Sequence, residues 1–352
     1  MLKVIRESIG LTQEQFAEHL GADTTTIQGW ETGRRPLMAM PLGSFLRLRH
    51  VLVRMGTRSQ LITQLETALE ADRFIGYVMG CERNDPIRPD HLLATWVITR
   101  RFTDLLVWPF TQQPPSVLAD ASRTITRRGP VATAPRLLPE ERAHFFDHLK
   151  MAAERADIAD ASGLLLRRQA RYVAGFDDRP DTAEWLRHMQ KAEERRAGRS
   201  REWTPAWAVI RSGAHSLARL GDREGLRHFI RTRLADEPCE VANLNYWAYW
   251  LGEVPDSQTT DLFMVELRPE QWRGTTVLRH LAGKLDMANP YVDVVVHTIW
   301  ALVMLCPSAL HGRLSVELED GATRMLDEPE LSSQARRELE AVLYALRMIH
   351  RG

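Results

Sequence analysis

The sequence is poor in cysteine. Only three cysteines occur among its 352 residues, at Cys81, Cys239 and Cys306, and no two of them form a CxxC pair. This distribution excludes a disulfide-rich secreted scaffold and is typical of a reduced protein. The N-terminus has no signal-peptide pattern, so we expect the protein in the cytoplasm.

The sequence also lacks an apolar run long enough to cross a membrane. Its most apolar stretch, VDVVVHTIWALVMLC from Val292 to Cys306, contains Asp293 and His297. A membrane-spanning helix needs about 20 apolar residues. We therefore expect a buried core helix here and no membrane partner.

Neither sign of charge is in excess, because 46 basic residues balance 46 acidic ones. The distribution is nevertheless uneven: residues 1–58 contain eight basic and five acidic side chains, a net charge of +3, which leaves −3 on the remainder. This balance excludes a polybasic coating protein. It favours a protein that contacts phosphates with one small domain.

What the sequence does contain is a dense pattern of two short helices, QEQFAEHLGADTTTIQGWET. Phe16 and Leu20 are one helical turn apart, and Ile27 and Trp30 supply an apolar side to the second helix. Gly21 follows the first helix, where a left-handed backbone favours glycine. This spacing predicts two helices joined by a tight turn, the unit that binds DNA in many proteins. The alternative is a helical hairpin that binds no DNA.

Capping residues at both helix starts support the pattern. Thr12 begins the first helix, and Gln15, three residues later, completes a capping box. Asp23 is placed to cap the second helix.

Leu2 to about Arg58 resembles the Cro/repressor-type (XRE-like) helix-turn-helix family. The segments that carry the resemblance are IRESIGLTQEQFAEHLGA, TTTIQGWETGRRP and FLRLRHVLVRM. The resemblance implies a bundle of about five helices, at Leu2–Ile9, Thr12–Leu20 and Thr24–Glu31, with two more within Met38–Met55.

The resemblance also implies positions that contact DNA. The base-contacting side chains would be Thr24, Thr25 and Gln28, at the start of the second helix of the motif. The phosphate-contacting residues would be Arg6, Gln13, Arg34 and Arg35. Gly29 stands where many relatives have a longer side chain, and no arginine lies within this predicted recognition face. We therefore expect direct readout to rest on few contacts.

The remainder of the chain has helical periodicity to its end, so we predict an all-α fold. The predicted division is a helix-turn-helix domain over residues 1–58, a connecting helix over 59–72 and a larger helical domain over 73–352. Trp207–Leu220 and Arg223–Leu234 form a predicted hairpin similar to a tetratricopeptide repeat. A general array of helical hairpins is the broader alternative.

Two groups of apolar and aromatic residues are candidate binding surfaces in the larger domain. One is an aromatic and amide cluster, expected either to line a ligand or partner pocket or to pack in the core: Asn243, Tyr246, Trp247 and Trp250. The other is a stripe on the last helix, expected either to form a dimer contact or to pack on its own domain: Leu339, Val342, Leu343, Leu346 and Ile349. Arginines between Arg211 and Arg233 could supply an anion clamp beside the first group.

No pattern of catalytic or metal-binding residues emerges. Glu141, His144 and His148 share one helix, but no HExxH occurs, and we expect them on a solvated face. Phosphate-loop, nucleophile-elbow and dinucleotide signatures are missing. We expect no enzyme, no cofactor and no metal.

The sequence therefore predicts a DNA-binding transcriptional regulator. Its partners would be double-stranded operator DNA, a second copy of the chain and a small-molecule, peptide or protein signal. The alternative is a protein–protein adaptor, or an antitoxin-like autoregulator, whose helical array binds another protein.

Overall fold

The structure, a computed structural model, describes residues 1–82, 85–88, 90–115, 118, 135–198, 202–310 and 312–351, with the backbone alone at 308 and 349–351. The predicted all-α class is confirmed, and the described residues contain no strand. The α-helices of the described part are α1 (Leu2–Ser8), α2 (Gln13–Leu20), α3 (Thr24–Thr32), α4 (Leu42–Arg54), α5 (Ser59–Met79), α6 (Leu92–Thr95), α7 (Arg100–Thr111), α8 (Pro139–Arg155), α9 (Ala161–Ala174), α10 (Pro180–Ala197), α11 (Pro205–Arg219), α12 (Arg223–Arg233), α13 (Glu237–Trp250), α14 (Phe263–Glu266), α15 (Thr275–Ala282), α16 (Val292–Leu305), α17 (Arg313–Leu326) and α18 (Ser333–Arg351).

The chain divides into two compact units by its internal contacts. Unit 1 contains residues 1–85 and 101–145, and unit 2 contains residues 86–100 and 146–352. This grouping does not test the predicted domain boundaries after residues 58 and 72, which stay predictions. The helix predicted to connect them, α5, has 21 residues and ends at Met79.

The first helices of unit 1 pack around a small apolar core. Ile5, Phe16 and Ile27 are fully buried, as is Leu52 of α4. This confirms the predicted core positions in α2 and α3, although Leu20 and Trp30 keep partial exposure.

The prediction of two helices within Met38–Met55 is wrong. The structure has a 3-10 turn at Leu37–Ala39 and then one helix, α4. Pro41 explains the difference, because a proline disfavours helical geometry at the residue before it. Met40 accordingly has an extended backbone, with ψ of 134°.

The start of α2 and the turn between α2 and α3 have most of the conformations that their residue types predict. Gln15 N–H donates to Thr12 Oγ1 at 3.2 Å and Thr12 N–H donates to Gln15 Oε1 at 3.0 Å, which confirms the capping box. Gly21 has φ of 65°, the predicted left-handed conformation. Asp23 occupies the cap position of α3, but its side chain makes no capping hydrogen bond.

Unit 2 is organised around α16, the predicted buried helix. Its residues belong to a large apolar cluster that also includes side chains from α13, α15, α17 and α18. Across the described ranges, no helix is both long enough and apolar enough to cross a membrane.

The apolar stripe of α18 lies inside this cluster, which corrects its assignment as a dimer contact. Leu339, Val342, Leu343 and Leu346 are all buried within unit 2. Their apolar surface is therefore already covered by the chain's own helices. The side chain of Ile349 lies outside the described residues.

The predicted helical hairpin of unit 2 is present as α11 and α12. Asp222 caps α12 by accepting a hydrogen bond from Gly225 N–H at 3.0 Å. On the other side of α11, a Cβ on Gly213 would stand 2.0 Å from Gln190 Oε1 of α10. Glycine at this position therefore permits the close packing of α11.

Candidate nucleic-acid interface

Helix α3 presents a short polar face at its N-terminal end. Thr25 is exposed, and Thr24 and Gln28 are half-buried. In the described part of the chain, no residue forms a hydrogen bond with these three side chains, so their donors and acceptors remain available. We call Thr24, Thr25 and Gln28 the recognition face. Among these side chains, Gln28 can pair with an adenine edge and the threonines can hydrogen-bond or contact a thymine methyl.

A buried ion pair fixes the orientation of α3 from behind. Arg6 Nε of α1 donates to Glu31 Oε1 of α3 at 2.6 Å, and Arg6 Nη2 donates to Glu31 Oε2 at 3.1 Å. Arg6 Nη1 also donates to the Leu11 carbonyl oxygen at 2.6 Å. Gln13 Nε2 of α2 donates to Glu31 Oε2 at 2.7 Å. The Glu31 carboxylate thus holds together the three helices of the motif.

This network corrects the phosphate role expected of Arg6. Its side chain is 9% exposed and that of Glu31 is 2% exposed, so the Arg6 guanidinium is engaged inside the domain. The side-chain amide of Gln13 is likewise committed to Glu31. A buried charge needs such a partner, and Arg6 is a structural residue.

Arg35 lies along α3 because Gly29 has no side chain. A Cβ on Gly29 would stand 3.2 Å from Arg35 Cγ and Cδ, so the arginine stem covers this glycine. Arg35 N–H donates to the Gly29 carbonyl oxygen at 3.0 Å, and Arg35 Nη1 donates to Thr26 Oγ1 at 3.1 Å. An arginine that follows the helix in sequence thus lies beside the recognition face, where the sequence predicted none.

Two further arginines lie near α3, one beside its C-terminal end and the other beside the turn that precedes it. Arg34 is exposed and its Nε donates to Thr32 Oγ1 at 3.3 Å. Arg47 of α4 has Nη2 3.8 Å from the Cβ position of Gly21, beside the turn between α2 and α3. Arg34, Arg35 and Arg47 line one groove of about 500 Å³ together with Trp30 and Met40. The sequence did not indicate Arg47, because only the packing of α4 brings it to the turn.

The aromatic and amide cluster of α13 is mostly buried. Tyr246 and Trp250 are stacked, with ring centroids 5.9 Å apart, and both are buried. Asn243 Oδ1 accepts a hydrogen bond from Arg211 Nε at 2.8 Å. The Arg211 guanidinium lies 5.8 Å from the ring centroid of Trp247, which is half-buried. The four predicted residues therefore share one neighbourhood with an arginine of α11.

The expected solvated face of α8 is wrong at His148. This side chain is buried, and its Nε2 lies 3.4 Å from Nε2 of His91, with the two rings stacked. His144 Nε2 lies 3.0 Å from the Val78 carbonyl oxygen. Within the described ranges, no group of three or more histidine, cysteine or acidic side chains is placed to hold a metal ion.

Comparison with known proteins assigns the N-terminal segment. Residues 2–40 match a family model described as helix-turn-helix (HTH_3), which supports an XRE-type motif of the DNA-binding kind found in transcription regulators. The match covers α1 to α3 and the following 3-10 turn. Searches of curated proteins and of solved structures found no match.

Proposed function

We propose that the protein is a cytoplasmic, sequence-specific transcriptional regulator that binds operator DNA through α3. The observation that carries the proposal is the solvent-accessible recognition face of an XRE-type motif. Arg34, Arg35 and Arg47 line a groove along the same helix, beside Thr26 and Trp30. In this arrangement α3 enters the major groove, and the arginines contact the phosphates on either side. The backbone N–H of Gln13, the first residue of α2, has no acceptor among the described residues and is suited to a further phosphate.

We further propose that the protein acts as a dimer and that its tetratricopeptide-like helical domain responds to a signal. Motifs of this type usually bind two half-sites about one helical turn of DNA apart. A signal that binds one arrangement of the helical domain more tightly would shift the population towards it. The dimer contact in this proposal excludes the stripe of α18, because those side chains are buried within unit 2.

The proposal is tested by capturing genomic DNA fragments with the purified full-length protein and sequencing them. We expect one enriched motif, composed of two inverted half-sites if the protein dimerises. No enrichment over input DNA would contradict the proposal. A stoichiometric protein that co-purifies in its place would favour the adaptor function.

Gln28→Ala should weaken binding to the enriched motif by about 1–3 kcal/mol and relax specificity at one base pair. The reason is the loss of a side chain that can pair with a base edge. Fluorescence anisotropy titrations against single-base variants of the motif measure both effects. Arg34→Ala is the control for phosphate contact: it should weaken binding to all sequences and reduce the salt slope by about one.

A further inference from the structure

One side of α11 contains two arginines that form no salt bridge with any carboxylate of the described residues. Arg211, His215 and Arg219 follow one another at intervals of four residues, so they share one helical face and span about 12 Å. All three belong to unit 2, in which α11 packs closely against α9 and α10.

The Arg211 guanidinium is enclosed by an aromatic ring and an amide. It lies 4.2 Å from the ring centroid of Tyr246, and its Nε donates to Asn243 Oδ1 at 2.8 Å. The residue is 3% exposed, and its Nη2 is buried without a hydrogen-bond partner among the described residues. Burial, the largest cause, lowers the pKa of Arg211 to about 10.

Arg219 repeats this arrangement two turns later. Its guanidinium lies 3.5 Å from the ring centroid of Phe176 and 5.0 Å from that of Tyr172. Arg219 Nε donates to Tyr291 Oη at 3.1 Å, whereas Nη1 is buried without a partner in the described ranges. Between the two arginines, His215 Nε2 is also buried and unpartnered in that part of the chain.

The buried carboxylate that acts electrostatically on Arg211, that of Asp261, is already paired with another arginine. Asp261 accepts two hydrogen bonds from Arg168, at 2.8 Å from Nε and 2.6 Å from Nη2. The neighbouring Arg167 is likewise paired, with Glu193 at 2.6 Å. Among the described residues, Arg211 and Arg219 have no such ion pair. An unpaired buried cation is costly, and proteins ordinarily pair it.

We propose that this face of α11 is a binding site for an oxyanion ligand, in which Arg211 and Arg219 donate to phosphate or carboxylate oxygens. Guanidinium groups fit both kinds of oxyanion with paired hydrogen bonds. His215 offers a third polar atom between them, and Tyr172 and Tyr246 border the site. That the ligand acts as the signal of the regulator rests on the proposed function, whereas the binding itself does not.

Thermal unfolding of the full-length protein with inorganic pyrophosphate or citrate tests the site and separates the two oxyanion sources. At matched ionic strength, we expect one of these probes to raise the Tm relative to sodium chloride, and to do so in proportion to the logarithm of its concentration above saturation. Arg211→Met and Arg219→Met should each abolish the rise. Arg231→Met is the matched control, because that arginine is exposed and pairs with Glu224.

The unliganded variants give a second, independent readout. Without an oxyanion, Arg211→Met should change the Tm little, because removal of an unpaired buried charge at nearly equal volume offsets the loss of the hydrogen bond to Asn243. If neither probe raises the Tm of the wild type, or if the Arg211→Met and Arg219→Met variants respond as the wild type does, the site is overturned. A marked fall in the Tm of unliganded Arg211→Met would also overturn it, in favour of a purely structural arginine. No DNA is present in these titrations, so their failure leaves the DNA-binding proposal standing, and failure to bind DNA leaves the oxyanion site standing.

Discussion

Gly29 and Arg35 act as one structural pair at the edge of the recognition face. The aliphatic stem of Arg35 fills the space beside Gly29. Its Cγ and Cδ lie 3.2 Å from the position that a Cβ at residue 29 would occupy. The arginine therefore takes the place beside α3 that a longer side chain at residue 29 would occupy. A guanidinium can therefore lie close to the recognition face although the face itself has few long side chains.

Gly29→Ala should displace Arg35 and weaken DNA binding, because the new methyl group meets the arginine stem closer than ordinary contact. In a double-mutant cycle with Arg35→Ala, the two changes should couple by about 0.5–3 kcal/mol. Anisotropy titrations with the enriched DNA motif measure the four affinities. Gly43→Ala is the matched control, since a Cβ there would meet no atom within 4 Å. Strict additivity of the Gly29 and Arg35 effects would contradict the pairing.

The roles of single residues were predicted correctly where they depend on residues nearby in sequence, and wrongly where they depend on distant ones. The capping box at Thr12 and the left-handed Gly21 depend on neighbours within a few residues, so the sequence predicts them. Arg6 was misassigned because its partner, Glu31, is 25 residues away. Which side of α1 faces α3 depends on how the helices cross, and spacing within one helix does not determine that.

At the scale of the element, the position of α3 depends on Glu31. Glu31→Gln should remove the buried counter-charge of Arg6, which leaves Glu7 at 3.7 Å as its remaining carboxylate partner. We expect the free energy of opening of α1 to α3 to fall by about 3 kcal/mol, the low end for breaking a buried ion pair. Hydrogen exchange of the amides of these helices measures the change. Glu18→Gln is the control, because Glu18 is exposed on α2. Unchanged protection in Glu31→Gln would show that packing alone positions α3.

The buried stripe of α18 makes a second prediction about an element. Leu339→Ala should lower the free energy of unfolding by about 2–5 kcal/mol, because it leaves a cavity in the core of unit 2. Urea unfolding and light scattering together measure stability and oligomeric state. Met348→Ala, at an exposed position of the same helix, should change stability by no more than about 0.5 kcal/mol. If Leu339→Ala abolished dimers without a loss of stability, the result would contradict this prediction and indicate that the stripe is a dimer interface.

The positions of helices were easier to predict than the elements against which each helix packs. The apolar spacing of α18 shows that one face is buried, but it does not show against what. The same holds for Arg211 of α11, whose neighbours Asn243 and Tyr246 lie about 30 residues away. The sequence therefore indicated the aromatic cluster and the arginines separately, and only the packing of α11 brings them together.

At the scale of the whole molecule, several histidines are held neutral by burial. Burial, together with the adjacent His148, lowers the pKa of His91 to about 4. Burial lowers the pKa of His215 to about 3 and of His280 to about 4, with Arg211 and Arg100 as the respective neighbouring charges. In each case the folded pKa lies below the ordinary value of about 6.5.

Stability should therefore be greatest above about pH 6.5 and fall towards pH 4. Between these pH values the histidines bind protons in the unfolded chain but not in the folded chain. Each such histidine therefore lowers the free energy of unfolding by about 1.4 kcal/mol per pH unit as the pH falls. Urea unfolding at a series of pH values measures the slope. His91→Gln should reduce it, whereas His19→Gln, at an exposed position, should not. A stability that stays flat from pH 6.5 to 4.5 would contradict neutral burial.

The fold class and the N-terminal motif could be predicted from the sequence, but the organisation of the larger helical region could not. Helical periodicity and turn glycines are local, which is why the all-α class is correct. Residues 101–145, for example, group with residues 1–85 in one compact unit. Such grouping results from long-range packing that a single sequence does not display.

The most direct test of sequence-specific binding through α3 is a competition titration with the full-length protein. The enriched genomic motif competes with a shuffled duplex of the same length and composition at one salt concentration. The account predicts at least about a thousandfold preference for the motif in the wild type, and a reduced preference in Gln28→Ala. Equal affinity for the two duplexes, or a preference that Gln28→Ala leaves unchanged, would contradict it.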